Sequence, residues 1–273
     1  MAGEPAKVLT IAGSDSGGAA GLQADLKTFT ALGVYGMSVV TTVTAQNSVR
    51  VEGVHSLPAA FVSQQIDAVL SDYGAAAVKT GFIGRAELVE TIAERLSIYA
   101  AEHPTGREPF LVVDPVLVNH RGESMFPTNV TRAYRKYLLP MAHLVTPNRR
   151  EAERLTERTV ETVAEMEAAA RLLHRVSGRS VLVKGGREEG QVVDVFFDGE
   201  EAVSLVAPHL ESANTHGSGD TLSAAIVAFL ALGESAPNAV RRARAFTHAA
   251  IRAAAGWQMG GGHGPLNHLL GDW

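Results

Sequence analysis

Short apolar runs alternate with amphipathic stretches along the whole sequence. Lys7–Ala12 (KVLTIA) predicts a buried strand closed by a glycine-rich turn. Leu22, Leu26 and Phe29 then recur at helical spacing until Gly33 stops the helix. Met37–Thr44 is β-branched and predicts a second strand. Pro58–Leu70 predicts a helix with Pro at its start and Phe61, Ile66, Val69 and Leu70 as its apolar positions. Four further runs, Ala76–Thr80, Phe110–Asp114, His143–Thr146 and Ser180–Lys184, end in polar residues and are separated by helical patterns. Near-continuous hydrophobic strands between amphipathic helices predict an α/β fold, a mostly parallel sheet covered on both faces. Val192–Phe197 and Ala202–Val206, joined by Asp198-Gly199, predict one short antiparallel edge.

No linker, repeat or low-complexity stretch breaks this pattern, so one domain over residues 1–273 is expected. A chain of that length buries about three quarters of its unfolded surface and needs no staple. It has no cysteine, which excludes disulfide scaffolds, thiolate zinc sites, iron–sulfur clusters and cysteine nucleophiles, and fits a reducing cytoplasm. With 24 basic and 29 acidic side chains the net charge is −5, which argues against a nucleic-acid partner. The uncharged stretch Thr28–Val49 is long enough to cross a bilayer, but it is rich in Thr, Ser, Gln and Asn and is split by Gly33 and Gly36. Val8–Ala12 is too short for a secretory core, so neither a membrane span nor a signal peptide is expected.

In a parallel sheet ligands bind beyond the carboxyl ends of the strands, so polar residues just after strands are the ones to weigh. Gly13–Gly21 (GSDSGGAAG) reads either as a loop that brings backbone close to a ligand or as a plain tight turn. Asp25, expected in the first turn of the next helix, can simply complement the helix dipole. Asn148 and Glu151 can hold a hydrated magnesium ion or form a capping box. Lys184-Gly185-Gly186 ends a strand, where the ammonium can meet phosphate or the glycines can merely turn. Asn214–Leu222 (NTHGSGDTL) leads straight into an apolar helix. Its small residues aim amides at one point, and Asp220 beside them suits a base that takes a proton from an attacking hydroxyl, the alternative being a helix cap. The ten histidines show no metal-ligand spacing, with His263 and His268 read as tail residues, and Arg241, Arg242 and Arg244 read as a solvated face.

Together these segments resemble the ribokinase-like kinases, and within them the hydroxymethylpyrimidine/phosphomethylpyrimidine kinase family of thiamine biosynthesis. The matching stretches are LTIAGSDSGGAAGLQADLKTF (9–29), TAQNSV (44–49), VVDPV (112–116), TPNRREAERL (146–155), VLVKGG (181–186) and NTHGSGDTLSAA (214–225). The resemblance implies a three-layer ribokinase-like fold and phosphorylation, with ATP and Mg²⁺, of an aminopyrimidine hydroxymethyl group and then of its monophosphate. It implies that Gly13, Asp25, Gln46, Phe82 and Val116 bind the pyrimidine, and that Lys184, Gly185, Thr215 and Asn148 lie along the nucleotide. Asn148, Glu151 and Asp114 would then hold magnesium through water. The amides of Gly217, Ser218 and Gly219 would form the anion hole and Asp220 would be the base.

Three positions depart from that pattern. Asp220 stands where this branch commonly has Cys, Phe82 where it commonly has Met, and Val118–Glu123 replaces a run of small residues. Small-molecule substrates, a homodimer and a cytoplasmic location are expected. A pyridoxal-type kinase is the nearest alternative, although Gln46 offers the donor and acceptor that an aminopyrimidine edge requires. A non-catalytic sensor on the same fold would not need to keep a base, and a nicotinamide oxidoreductase would need a glycine fingerprint that is missing.

Overall fold

The computed structural model describes residues 3–103, 108–119 and 121–271. The alternating pattern folds into a single nine-stranded sheet. Its strands are β1 (Lys7–Asp15), β2 (Tyr35–Gln46), β3 (Val51–Ser56), β4 (Ala77–Thr80), β5 (Phe110–Val113), β6 (Leu144–Val145), β7 (Ser180–Glu188), β8 (Gln191–Phe197) and β9 (Ala202–Pro208). Their order across the sheet is β3-β2-β1-β4-β5-β6-β7-β8-β9. The pairs from β2 through β7 are parallel, while β3, β8 and β9 run antiparallel to their neighbours. The expected hairpin β8–β9 is present, with the Asp198 carboxylate accepting from the amides of Glu200 and Glu201. The sequence reading foresaw only that edge. The second antiparallel edge, β3, is exposed along nearly its whole length, so it leaves no buried periodicity to read.

Helices cover both faces. On one lie α2 (Ala59–Asp72), α3 (Ala86–Glu102), α4 (Thr128–Ala133), α5 (Arg149–Thr156) and α6 (Val163–Ser177). On the other lie α1 (Gly21–Ala31), α7 (Ser218–Ala231) and α8 (Ala236–Ala254). Side-chain alternation along the strands divides the core. Leu9 and Ile11 of β1 and Val78 of β4 pack under the first layer, while Val8 and Ala77 pack under the second. Helix α7 is buried along every residue from Thr221 to Leu230, as expected of a helix that is apolar all round. On α8, Arg241 and Arg242 face solvent as read, but Arg244 does not. Its guanidinium donates to Asp194 at 2.7 Å and to the Leu205 carbonyl at 2.6 Å, tying α8 to β8 and β9.

Candidate active site

Five segments meet beyond the carboxyl ends of the strands. The glycine-rich segment continues β1 as far as Asp15 before it turns. The buried Asp15 organises that turn by accepting from the amides of Gly17 (2.8 Å), Ala19 and Ala20 (both 2.9 Å). Asp15 thus occupies the two amides that lead into α1, and the first amide of the helix, that of Gly21, donates to Asp220. Gly13 is buried against Phe82, whose ring edge would lie 2.7 Å from a Cβ at residue 13. Phe82 in turn packs on Phe126, with ring centroids 5.2 Å apart. Gln46 closes β2, and its amide nitrogen lies 3.1 Å from Nε2 of His216.

On the far side of the sheet, α5 starts with a complete capping box. Asn148 Oδ1 accepts from the Glu151 amide at 3.0 Å, and Glu151 returns to the Asn148 amide at 2.8 Å. The Leu117 amide donates to the other Glu151 oxygen at 3.3 Å. Burial pushes the Glu151 carboxyl up to about 8, against the lowering effect of Lys184. Lys184, paired through its backbone with residue 148, donates to Asp114 at 3.0 Å. Burial would lower the Lys184 ammonium, but Asp114 and Glu151 outweigh it, so the group is held above its ordinary range. Asp114 also accepts from Ser223 of α7 at 2.8 Å, which ties the two sides together. Val116 lies half-buried in the loop after β5.

Helix α7 is preceded by the cap residue Gly217, whose φ of +81° favours glycine. A side chain there would also overlap the Ala19 carbonyl, so the glycine-rich turn and the helix start are in direct contact. The Ser218 amide turns back to the Thr215 carbonyl at 3.2 Å, so it is the member of the expected anion hole that is already engaged. Among the described residues the amides of Gly219 and Asp220 meet no acceptor, as the first turn of a helix requires. Lys184 Nζ stands beside Gly219, 3.5 Å from where a Cβ would be.

The Asp220 side chain is 15% exposed and accepts from Lys79 at 3.1 Å. Burial alone would raise its carboxyl, but Lys79 and the Gly21 amide prevail and hold it below the ordinary carboxylate range.

Several predicted residues sit differently from expectation. Asp25 is the fifth residue of α1, past the first turn, and its side chain is wholly buried. Its oxygens accept from Lys79 (2.6 Å) and Thr10 (2.6 Å), so it lies beneath Asp220 and does not line a substrate face. Gly185 is exposed, and its amide donates to Asp194 at 2.7 Å, so that amide is already engaged. Thr215 shares a 2.7 Å hydrogen bond with His263, and His268 one of 2.8 Å with Thr221, so both tail histidines support the α7 start. In the unusual segment Val118–Glu123, His120 lies outside the described residues.

Sequence reasoning missed Lys79, Asp15 and His216. The signal for Lys79 was a charge inside AVKT, an otherwise uncharged strand. The signal for Asp15 was local, an Asp two residues before a Gly-Gly turn whose amides it accepts from, whereas His216 had none, because its partner Gln46 is set by the fold.

The donor set bears on magnesium. Among the described residues no group of three or more His, Asp or Glu converges to cage a metal. The oxygens of Asp114, Asn148 and Glu151 already accept protein hydrogen bonds. That set fits an ion that keeps most of its own water, as magnesium does.

Comparison with known proteins identifies the relatives of this site. The family model described as phosphomethylpyrimidine kinase matches residues 15–267. The hydroxymethylpyrimidine/phosphomethylpyrimidine kinase of Rhizobium meliloti is 46% identical over 267 residues, 97% of each chain. The thiamine biosynthesis bifunctional protein ThiED of Geobacter sulfurreducens is 47% identical over 96% of this chain, which spans only 52% of that longer protein. Among solved structures, pyridoxal kinase of Bacillus subtilis in an ADP complex superposes with a TM-score of 0.88 at 33% identity, over 97% of this chain and 98% of that one. Among the described residues no helix is long and apolar enough to cross a membrane. A match that runs from the end of β1 into the tail takes in Gln46, Lys79, Asp114, Asn148, Glu151, Lys184 and the whole α7 start, and the chain belongs to the phosphomethylpyrimidine kinase family.

Proposed function

We propose that this chain transfers the γ-phosphoryl group of ATP to the hydroxymethyl group of an aminopyrimidine, and then to the resulting monophosphate, as in thiamine biosynthesis. The observation that carries this reading is Asp220, an ionised carboxylate with one oxygen held at 3.1 Å by Lys79, beside unengaged amides at the start of α7. The substrate oxygen bonds to the γ-phosphorus while Asp220 takes its proton, and the bond from phosphorus to the ADP oxygen breaks. The Gly219 and Asp220 amides, with the neighbouring amide of Gly217, face the charge that develops on the transferred group. Lys184 adds positive charge next to Gly219, and Asp114 keeps it in place. Magnesium, when bound, neutralises phosphate charge; Asn148, Glu151 and Asp114 would hold it through water.

Gln46 supports the pyrimidine, since its amide can both donate to and accept from an aminopyrimidine edge. Phe82, braced by Gly13 and Phe126, is the apolar wall of that pocket, with Val116 near Asp114. A pyridoxal-type activity is the second reading, favoured by the close superposition on the Bacillus subtilis pyridoxal kinase. Product analysis after incubation with ATP, magnesium and a panel of hydroxymethyl-pyrimidines and -pyridines separates the two. Phosphorylation of the pyrimidines first to mono- and then to diphosphates supports the first reading, and turnover of pyridines alone overturns it.

The same proposal includes a single folded domain acting in the cytoplasm as a homodimer. Self-association would suit the β3 edge, where Val49, Val51 and Val54 stand exposed. Sedimentation analysis tests it.

A further inference from the structure

The chain buries one lysine completely in its sheet. Lys79 sits opposite Thr10 in the β1–β4 register, on the face covered by α1 and α7. Its Nζ donates to Asp25 at 2.6 Å and to Asp220 at 3.1 Å, and Thr10 holds the second Asp25 oxygen at 2.6 Å. Gly81 leaves room above the group, since a Cβ there would stand 3.3 Å from Nζ and 3.7 Å from the near Asp220 oxygen. Thr10, Asp25, Lys79 and Asp220 thus form one chain from the sheet interior to the site.

One carboxylate would be enough to pair a buried ammonium. Two are needed if one of them is neutralised in every turnover, because an uncompensated buried charge is strongly destabilising. We propose that Lys79 is a positioning residue for phosphoryl transfer, fixing one oxygen of Asp220 so that the other faces the acceptor hydroxyl. Asp25 is the counter-ion that keeps Lys79 charged and in place once Asp220 holds the proton. This rests on the reading of Asp220 as base. The proton passes from the substrate hydroxyl to the free Asp220 oxygen as the oxygen–phosphorus bond forms, the ADP oxygen leaves with the bonding pair, and Asp220 then returns the proton to solvent.

The charge balance agrees with the geometry. Burial, together with the charge of Asp220, pushes the Asp25 carboxyl up to about 7 although Lys79 opposes it, while Asp220 is held low; when Asp220 takes the proton its repulsion goes, and Asp25 is then free to ionise beside Lys79. Burial disfavours the Lys79 ammonium, yet Asp25, Asp220 and Asp114 hold it far above its usual range. Lys184 is the other cation acting on Asp220.

The test uses the Lys79→Met/Asp25→Asn double variant, which removes the wholly buried ion pair together and keeps the net charge of the cluster, beside Asp25→Asn and Asp220→Asn. The double variant should melt cooperatively and keep its KM for ATP within about threefold. Its kcat should fall at least about tenfold, and the acid limb of kcat against pH should move up by one pH unit or more, because Asp220 has lost its ammonium. Asp25→Asn alone should lower kcat without raising that limb, and it serves as the test if the double variant does not fold. A folded double variant with the parent's kcat and acid limb overturns the role of Lys79, and parental kcat in Asp25→Asn overturns that of Asp25. If Asp220→Asn itself turns over like the parent, the base reading fails instead, whatever the other variants do.

Discussion

The proposed base, Asp220, can take a proton only while it is ionised, and Lys79 and the Gly21 amide hold its carboxyl below the ordinary range. Replacing it with Asn preserves the shape and removes the proton acceptor. Asp220→Asn should keep fold and nucleotide binding but lose at least about a hundredfold in kcat, the usual scale for a positioned base. Turnover near the parent's would reduce residue 220 to a helix cap. Asp220→Cys separates the two chemistries by pH. A thiol has an unperturbed pKa near 8.5, well above a carboxylate's. The parent should be flat on the acid side down to about pH 5, and the Cys variant should stay active with its acid limb at least one pH unit higher. The same ammonium and amides favour the thiolate, so the displacement should fall short of the gap between the free pKa values. Superimposable acid limbs would show that another group titrates. Asp220 itself was legible from its place after Gly-Ser-Gly at a helix start. Its partner Lys79, 141 residues away in sequence, was not.

At the scale of the element, Gly217 and Gly185 share a positive φ but not a setting. A Cβ at 217 overlaps the Ala19 carbonyl, whereas one at 185 meets nothing within 4 Å. Gly185→Ala should therefore cost about 1 kcal/mol, the backbone penalty alone. Gly217→Ala should cost at least about 2 kcal/mol more and displace the turn after β1. Denaturant titration of both measures this, and equal losses would mean that the turn and α7 do not brace each other. Helix α5 offers a test in pH. Glu151 rises from 4.5 unfolded to about 8 folded, so between those values the folded state holds a proton that the unfolded state has lost. Its contribution to stability is full below about 4.5 and is lost as pH rises through 8. Glu151→Gln can keep the Asn148 bond of the capping box and cannot ionise, but its NH2 cannot accept from the Leu117 amide. In metal-free buffer it should be less stable than the parent near pH 5 and gain on it by about 1–3 kcal/mol by pH 9. A constant difference across that range would refute the buried titration. The capping box was readable from Asn and Glu three apart, but the burial that raises Glu151 comes from the Leu117 loop and Lys184.

Across the molecule, the turn after β1, the start of α7 and the glycine-rich tail close on one another. The His216 amide donates to the Gly264 carbonyl at 3.0 Å, and the Asn214 side chain donates to the Ala254 and Trp257 carbonyls at 2.7 and 3.0 Å. His268 anchors the tail to Thr221, and burial, helped by Lys27, lowers its imidazole to about 4. Its folded pKa lies below the unfolded 6.5, so the stability it contributes is present above about 6.5 and is lost as pH falls toward 4. The parent should thus lose more melting temperature between pH 7 and pH 5 than His268→Gln, which can still bond Thr221. Equal losses would place the acid sensitivity elsewhere.

The sequence by itself determined what depends on local order along the chain. Alternating apolar runs and amphipathic helices specified a parallel α/β sheet, because strands buried on both faces must be apolar throughout. Asp198-Gly199 specified the hairpin, and small residues before Asp220 specified a helix start able to face an anion. Tertiary structure decided everything that depends on distant partners. It engaged the amides of Ser218 and Gly185 elsewhere, and it took Asp25 out of the substrate surface. It also set Lys79 between two carboxylates. Those outcomes follow from strand register and helix packing, which bring residues 10, 25, 79 and 220 together, and local propensity does not encode that contact. The β3 edge escaped for the opposite reason, since a strand exposed along nearly its whole length carries no hydrophobic period and is held by pairing alone.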